Sequence, residues 1–331
     1  MDREAPEATR SVGSSFDVEN IVLLINPHSS RFDAMRPYID ELRESQYGGS
    51  RIQEIETDKQ HSITEARLLE TVKENDCLIV VGGDGSKHIA ASAIAKHYPN
   101  NGVKLLFVPG GHANDLSYGV HGSGQLPPLS HILDNGRIVR VRPIEVSTSL
   151  GVKKSHDIAL GYVGIGMTAL AAQTLNSWPY RSRLASRDPL VDAVGEAFVA
   201  AKSILQSRPF QIEHNGRFKY VYEILFTNGP RVAKYFHFPI KLEDDRIFMT
   251  KIETNSRFRK IASMVGNVLL KQTEIDGEVL YGETSVTVYD DELIQLDGET
   301  RALHPGTHMI FKQSDNSIEL VTYPKPKSEA A

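Results

Sequence analysis

The sequence predicts an α/β plus β protein: a doubly wound parallel-sheet domain followed by an antiparallel β-sandwich domain. Three observations predict it. Between residues 21 and 108, apolar runs alternate with segments of helical period, joined by short connections, the texture of strand–helix–strand units. Three of those runs stop at Asn-Pro or at glycine-rich turns. From about residue 139 the texture changes to alternating apolar and polar runs, the period of half-buried antiparallel strands.

The elements follow in order. Residues 21–25, IVLLI, are continuously apolar and end at Asn26-Pro27, which suits a strand buried on both faces. Residues 32–45 carry Phe32, Met35, Tyr38, Ile39 and Leu42 at helical spacing. Residues 51–57 alternate and form a second strand. Ser62 is placed to cap a helix running to about Lys73, with Glu65 completing a capping box. Strand three, residues 77–81, runs into Gly82-Gly83-Asp84-Gly85-Ser86 and then a helix over residues 87–97. Strand four, residues 103–108, ends at Pro109-Gly110-Gly111. In such sheets ligands bind beyond the carboxyl ends of the strands, where Asn26, residues 82–86 and residues 110–115 all fall.

The second half has alternating runs at 138–146, 157–166, 210–214, 220–226, 247–252, 283–289, 293–296 and 307–311. Asn215-Gly216 between two of them signals a hairpin. Helical stretches over residues 190–206 and 256–271 interrupt the runs. The second carries Arg257, Arg259 and Lys260, a basic start that suits peripheral contact with an anionic membrane, although packing of its apolar stripe through Leu269 on the β domain is the favoured reading.

Composition bounds the function. A chain of 331 residues with 40% hydrophobic and 24% charged content is that of an ordinary globular protein, long enough for two domains. A net charge of −5 argues against nucleic acid as a partner. The single cysteine, Cys77, excludes a disulfide framework and sits where a small apolar residue is wanted. No run approaches a membrane span, and the polar N-terminus has no signal-peptide core, so a cytoplasmic location is expected, at most peripheral to a membrane.

The chemistry lies in the turns. Glycines at 82, 83 and 85 let backbone approach an anion, and the helix start offers unpaired N–H groups and a partial positive charge. The turn has neither the Walker lysine pattern nor GxGxxG. Its company is Asn26-Pro27-His28-Ser29, residues 109–116 (PGGHANDL) and, far downstream, Asp297-Gly298-Glu299. Each has a plain structural reading as well: Asp84, Asn114 and Asp115 as helix caps, Asn26 as a turn former, Asp297-Gly298-Glu299 as a hairpin turn. His28, His88 and His112 have no helical ligand spacing for a metal.

Taken together, the motifs resemble the diacylglycerol kinase catalytic-domain family, lipid kinases that include sphingosine and ceramide kinases. Residues 82–86 resemble its GGDGT, residues 26–29 its NPxSG, residues 109–115 its PxGTxND, residues 162–169 (YVGIGMTA) its glycine-rich segment, and residues 297–299 its DGE. The resemblance implies phosphoryl transfer from ATP, with Mg²⁺, to a hydroxyl of diacylglycerol or a related lipid. It implies nucleotide contacts at Asn26, Gly82, Gly83, Asp84, Gly85, Ser86, Gly111, His112 and Asn114, and a catalytic base at Asp297 or Glu299, the two roles not being separable from sequence. It implies metal contacts at Asp84, through Mg-ATP, and at Asp245 with the carbonyls of Leu242 and Ile247. The expected division is a disordered tail over 1–17, a nucleotide-binding domain over 18–140, a substrate domain over 141–323 whose last strands can return to the first, and a flexible tail over 324–331.

Four positions depart from the family pattern: Ile89 where a glutamate is usual, His112 for a threonine, Thr168 for an aspartate, and Arg246 after Asp245 where glycine is usual. They keep open a catalytically weakened nucleotide- or lipid-binding homologue, and the GGDG turn, which NAD kinase shares, keeps open an NAD kinase-like phosphotransferase.

Overall fold

The computed structural model describes residues 20–49, 51–100, 102–111, 114–121, 126–177, 199, 202–203, 205–232, 236–242, 244, 246–253 and 277–323. The expected tails, the helix over 256–271, most of the helix over 190–206, His112 and Asp245 lie outside these residues.

Six strands make the first sheet: β1 (Asn20–Ile25), β2 (Arg51–Glu56), β3 (Cys77–Gly82), β4 (Lys104–Pro109), β5 (Arg137–Val141) and, from the end of the chain, β19 (Ile318–Thr322). Their order is β2-β1-β3-β4-β19-β5, and every neighbouring pair is parallel except β19 with β5. The apolar runs serve two cores at once. Val22, Leu24, Leu78, Val80, Leu105 and Phe107 face one cluster; Ile21, Leu23, Ile25, Ile79, Val81 and Val108 face the other. Helices α2 (His61–Thr71) and α3 (Asp84–His97) cover the first face; α1 (Phe32–Glu44) and α5 (Leu129–Asn135) cover the second. Cys77 is fully buried, and burial pushes its thiol up to about 12.

Three local expectations are corrected. Helix α2 begins at His61, and its cap residue Gln60 makes no side-chain capping bond, so the Ser62–Glu65 capping box does not form. Its entry is fixed instead by Asp58, whose amide donates to Thr64 Oγ1 (2.8 Å) and whose Oδ1 accepts the Gln60 amide (2.9 Å). Helix α3 begins at Asp84 rather than residue 87, so Asp84 through Lys87 form its first turn. The runs at 138–146 and 157–166 each divide in two: β5 is separated from β6 (Ile144–Leu150) by Arg142-Pro143, and β7 (Lys153–Ala159) from β8 (Tyr162–Gly166) by Leu160-Gly161. Proline cannot donate to a ladder, so the first break lets the chain change sheets.

The second sheet is antiparallel throughout. Its other strands are β9 (Phe210–His214), β10 (Arg217–Thr227), β13 (Ile247–Glu253), β14 (Glu278–Leu280), β15 (Thr284–Val288), β16 (Glu292–Leu296), β17 (Glu299–Leu303) and β18 (Thr307–Gln313). The order is β17-β16-β8-β10-β9-β15-β18-β6-β7, with β13 pairing β10 and β14. A separate ribbon joins β11 (Arg231–Val232) and β12 (Phe236–His237). Asn215 and Gly216, at φ 52° and 69°, make the tight β9–β10 hairpin. Two strands separate β10 from β18 in the sheet order, roughly 14 Å in a flat sheet. Yet Phe226 of β10 and Phe311 of β18 stack with ring centroids 3.9 Å apart. The sheet therefore curls on itself, and both layers around this core are one sheet.

The two sheets share a core: Ile158, Leu160 and Leu242 pack in the same cluster as Ile89 of α3 and Leu116 of α4 (Asp115–His121). Among the described residues no helix is long and apolar enough to cross a membrane.

Candidate active site

The two glycine turns lie backbone against backbone. The β3–β4 register pairs Gly82 with Pro109, and the Gly110 amide donates to the Gly82 carbonyl (3.0 Å). A Cβ on Gly111 would stand 2.5 Å from the Gly83 Cα, and one on Gly110 would stand 3.1 Å from the Gly82 backbone. Glycine at 110 and 111 is therefore required by the backbone of the other turn, before any ligand is considered. The first strand joins the same edge. The Asn26 amide donates to the Val81 carbonyl (2.9 Å), and the Asn26 side chain donates to Ser86 Oγ (3.2 Å) and accepts the His28 amide (3.0 Å). The Arg31 amide donates to the Gly110 carbonyl (3.0 Å).

Beneath this edge lies a residue the sequence reading passed over. Lys87 is fully buried. Its ammonium donates to Asn114 Oδ1 (3.1 Å) and meets Asp84 Oδ1 (3.4 Å). Burial lowers its pKa, and Asp84 opposes that shift. Asp84 also caps the start of α4, accepting the amides of Asp115 at Oδ2 (3.1 Å) and Leu116 at Oδ1 (3.4 Å). Asn114, itself buried at φ 53°, accepts the Gly111 amide (2.8 Å) and donates to the Gly111 carbonyl (2.6 Å). So Asp84, Lys87 and Asn114 fasten one glycine turn to the other. The signal in sequence is an Asp and a Lys three apart across a helix start, on one face.

The second sheet delivers the acidic turn. Asp297 (φ 49°) and Gly298 (φ 94°) form the tight turn between β16 and β17. Asp297 is completely buried. Its Oδ1 accepts the amides of Gly161 (2.8 Å) and Tyr162 (2.9 Å); its Oδ2 accepts the Leu160 amide (2.7 Å) and meets His88 Nδ1 (3.1 Å). Glu299 is different. Its Oε1 occupies the space that a Cβ on Gly85 would need, its Oε2 is 3.9 Å from His61 Nε2, and its side chain is 39% exposed. The buried Tyr162 hydroxyl is pushed well above the usual tyrosine range, first by burial and then by Asp115, Asp84 and Asp297.

The departures have structural answers. Ile89 packs in the core under α3, where a carboxylate would have no partner. Thr168 lies in the first turn of helix α6 (Met167–Asn176), and its amide (2.9 Å) and hydroxyl both donate to Glu223 of β10. Glu223, another residue the sequence reading passed over, is buried, and burial raises its carboxyl to about 8 against the pull of those Thr168 bonds. Arg246 donates to Asp244 (2.8 Å). Among the described residues no group of three His, Cys, Asp or Glu side chains could hold a metal. The oxygens of Asp84 accept the Asp115 and Leu116 amides and meet Lys87, which leaves one of about four lone-pair sites open on a side chain that is 12% exposed. Glu299 keeps the exposed carboxylate.

Comparison with known proteins bears on this arrangement. No curated protein matches the sequence. A diacylglycerol kinase structure from Bacillus anthracis str. Sterne overlays with a TM-score of 0.61 at 14% identity, covering 92% of this chain and 96% of that one. A candidate diacylglycerol kinase from the same strain overlays at 0.64 and 16% identity, over 93% and 99%. At those identities the likeness shows a shared fold, over nearly the whole of each chain. The sequence itself matches the diacylglycerol kinase catalytic domain over residues 20–146, the stretch that holds both glycine turns and Lys87. A kinase is what that match supports. Over residues 20–146 the chain is therefore similar to the diacylglycerol kinase catalytic domain.

Proposed function

We propose that the chain is an ATP-dependent lipid kinase, transferring the γ-phosphoryl group to a hydroxyl of diacylglycerol or a related lipid. The observation that carries the reading is where the acidic turn lands. Asp297 meets His88 at 3.1 Å and Glu299 fills the space beside Gly85, both on the first turns of the helix that follows the glycine-rich loop. The triphosphate would lie along Gly82, Gly83, Gly85 and Ser86, held by backbone N–H groups and the helix start. Asn26, Gly111, Asn114 and Lys87 keep that edge in shape.

Residues 18–140 hold the nucleotide in this reading and residues 141–323 the acceptor, with β19 returning to the first sheet. The acceptor oxygen forms a bond to the γ-phosphorus, the bond to the leaving ADP oxygen breaks, and the hydroxyl proton passes to a base of the acidic turn or its partners. Mg²⁺ arriving with ATP would neutralise phosphate charge, with Glu299 the carboxylate available to it. The lipid acceptor is drawn from the family match, and contact with a membrane surface follows only from that acceptor.

The test is purified protein with labelled ATP and a panel of diacylglycerol, ceramide, sphingosine and other lipids in detergent, with NAD as a separate arm. Label in a lipid phosphate is the expected result. Label in NADP alone makes the chain an NAD kinase. No transfer to any lipid, with nucleotide binding intact, overturns the lipid-kinase reading.

A further inference from the structure

We infer that His88 takes the acceptor's proton and that Asp297 acts through it, as a positioning residue. The inference rests on the kinase reading above and starts from what Asp297 has left to offer. A carboxylate has about four lone-pair sites. Three are filled by the Leu160, Gly161 and Tyr162 amides, and the fourth meets His88 Nδ1. The side chain is 0% exposed. For Asp297 to reach a substrate hydroxyl it would have to abandon buried backbone donors, at a cost no base needs to bear.

His88 has the opposite character. Its side chain is 16% exposed, and Nε2 has no hydrogen-bond partner among the described residues. The Asp297 oxygens accept N–H bonds on both sides, so the atom facing them, Nδ1, carries hydrogen. A neutral imidazole with hydrogen on Nδ1 has its lone pair on Nε2. The carboxylate thus fixes tautomer and ring orientation and will stabilise the imidazolium when it forms, the division of labour between an acid and a histidine in hydrolytic triads.

Position completes the argument. His88 is three residues after Gly85 and four after Asp84, on the face of α3 that meets the acidic turn. One helical turn, about 5.4 Å, separates it from the helix start where the phosphates would lie. An alcohol attacking the γ-phosphorus from the second sheet's side would approach past the acidic turn that His88 faces. The charged and titratable groups around it are Asp297 and Glu299 from the β16–β17 turn, His61 of α2 beside Glu299, the Asp84–Lys87 pair on its own helix, and the Tyr162 hydroxyl of β8. In the step, the proton leaves the acceptor oxygen for Nε2 as the oxygen–phosphorus bond forms and the bond to the nucleoside diphosphate breaks. The imidazolium then loses the proton to water.

Two substitutions and one spectrum test this. Asparagine can offer its amide N–H where Nδ1 stood, and so keep Asp297 satisfied, but it has nothing in place of Nε2. His88→Asn and His88→Ala should both retain ATP-analogue binding and lose about a hundredfold or more in kcat. Added imidazole should restore part of the rate of His88→Ala. Wild-type kcat in His88→Asn, or no rescue of His88→Ala by imidazole, overturns the assignment and leaves His88 a strut between the sheets. The ¹⁵N spectrum of the wild-type histidines, assigned by comparison with His88→Asn, needs no turnover. His88 must show hydrogen on Nδ1 when neutral, and hydrogen on Nε2 overturns the inference even if no acceptor is ever phosphorylated. An absence of all transfer in the wild type would instead strike the kinase reading.

Discussion

The two sheets bring different materials to one edge. The first brings main chain: glycine turns so close that Gly111 and Gly83 leave no room for a side chain between them. The second brings carboxylates, and it treats its two unlike each other, locking Asp297 under three amides and leaving Glu299 in the open. Backbone chemistry is decided by who is absent, side-chain chemistry by who is adjacent. If that division is right, damage to either side should produce a distinct failure: lost transfer from one, lost nucleotide from the other.

The largest expected effect is on the second sheet. Asp297→Asn puts an NH₂ group where one oxygen accepted backbone N–H donors, so donors face donors in a buried site. Transfer should fall by roughly a hundredfold or more. Binding of an ATP analogue should stay close to wild type, because the glycine turns are untouched. An equal loss of binding and transfer would break the division.

On the first sheet the counterpart is Lys87→Met. It removes a buried cation and leaves the Asp84 carboxylate with two backbone donors and no countercharge. Breaking a buried pair by one partner costs roughly 3 kcal/mol or more. Urea unfolding should show that loss, and Asp84→Asn in the same chain should recover part of it. A smaller effect is expected from Gly111→Ala. Its Cβ would press on the Gly83 backbone, and overpacking of this kind costs roughly 1–3 kcal/mol. Because the turn that must yield is the phosphate turn, ATP-analogue affinity should fall about tenfold while the fold survives. Titration of a fluorescent ATP analogue reads it directly; unchanged affinity would mean that the turns can separate without harm to the site.

The same contrast governs what could be read from sequence. The first sheet was legible because strands buried on both faces are continuous apolar runs and because glycine announces a close approach. The mistakes there were local. Ser62 satisfies a capping pattern, but Asp58 and Thr64 capture the chain earlier. Lys87 was invisible because a lysine after a turn is ordinarily solvated. In the second half, the hairpin at Asn215-Gly216 was legible from two residues. The joint between His88 and Asp297 spans 209 positions and exists only once the second sheet has closed against α3. Asp297-Gly298-Glu299 gave two carboxylates and no means to tell them apart; burial tells them apart at once.

Glu223 is the finest test of the idea that partners, not burial, set a carboxylate's behaviour. The Thr168 hydroxyl and amide and the Met167 amide pull against its burial, and burial wins, raising its carboxyl from an ordinary 4.5 to about 8. Between those values the unfolded chain has released this proton and the folded chain still holds it. The folded state binds more protons, so stability falls as pH rises. The contribution is fully present below about pH 4.5, declines through the interval at roughly 1.4 kcal/mol per unit, and is gone above about pH 8. Glu223→Gln keeps the shape and cannot ionise. At pH 5 the two proteins should unfold at similar denaturant concentrations. By pH 8.5 the variant should be the more stable, and the difference should stop growing there. Parallel curves for wild type and variant across that range would mean that Thr168 and the start of α6 hold Glu223 ionised in spite of its burial.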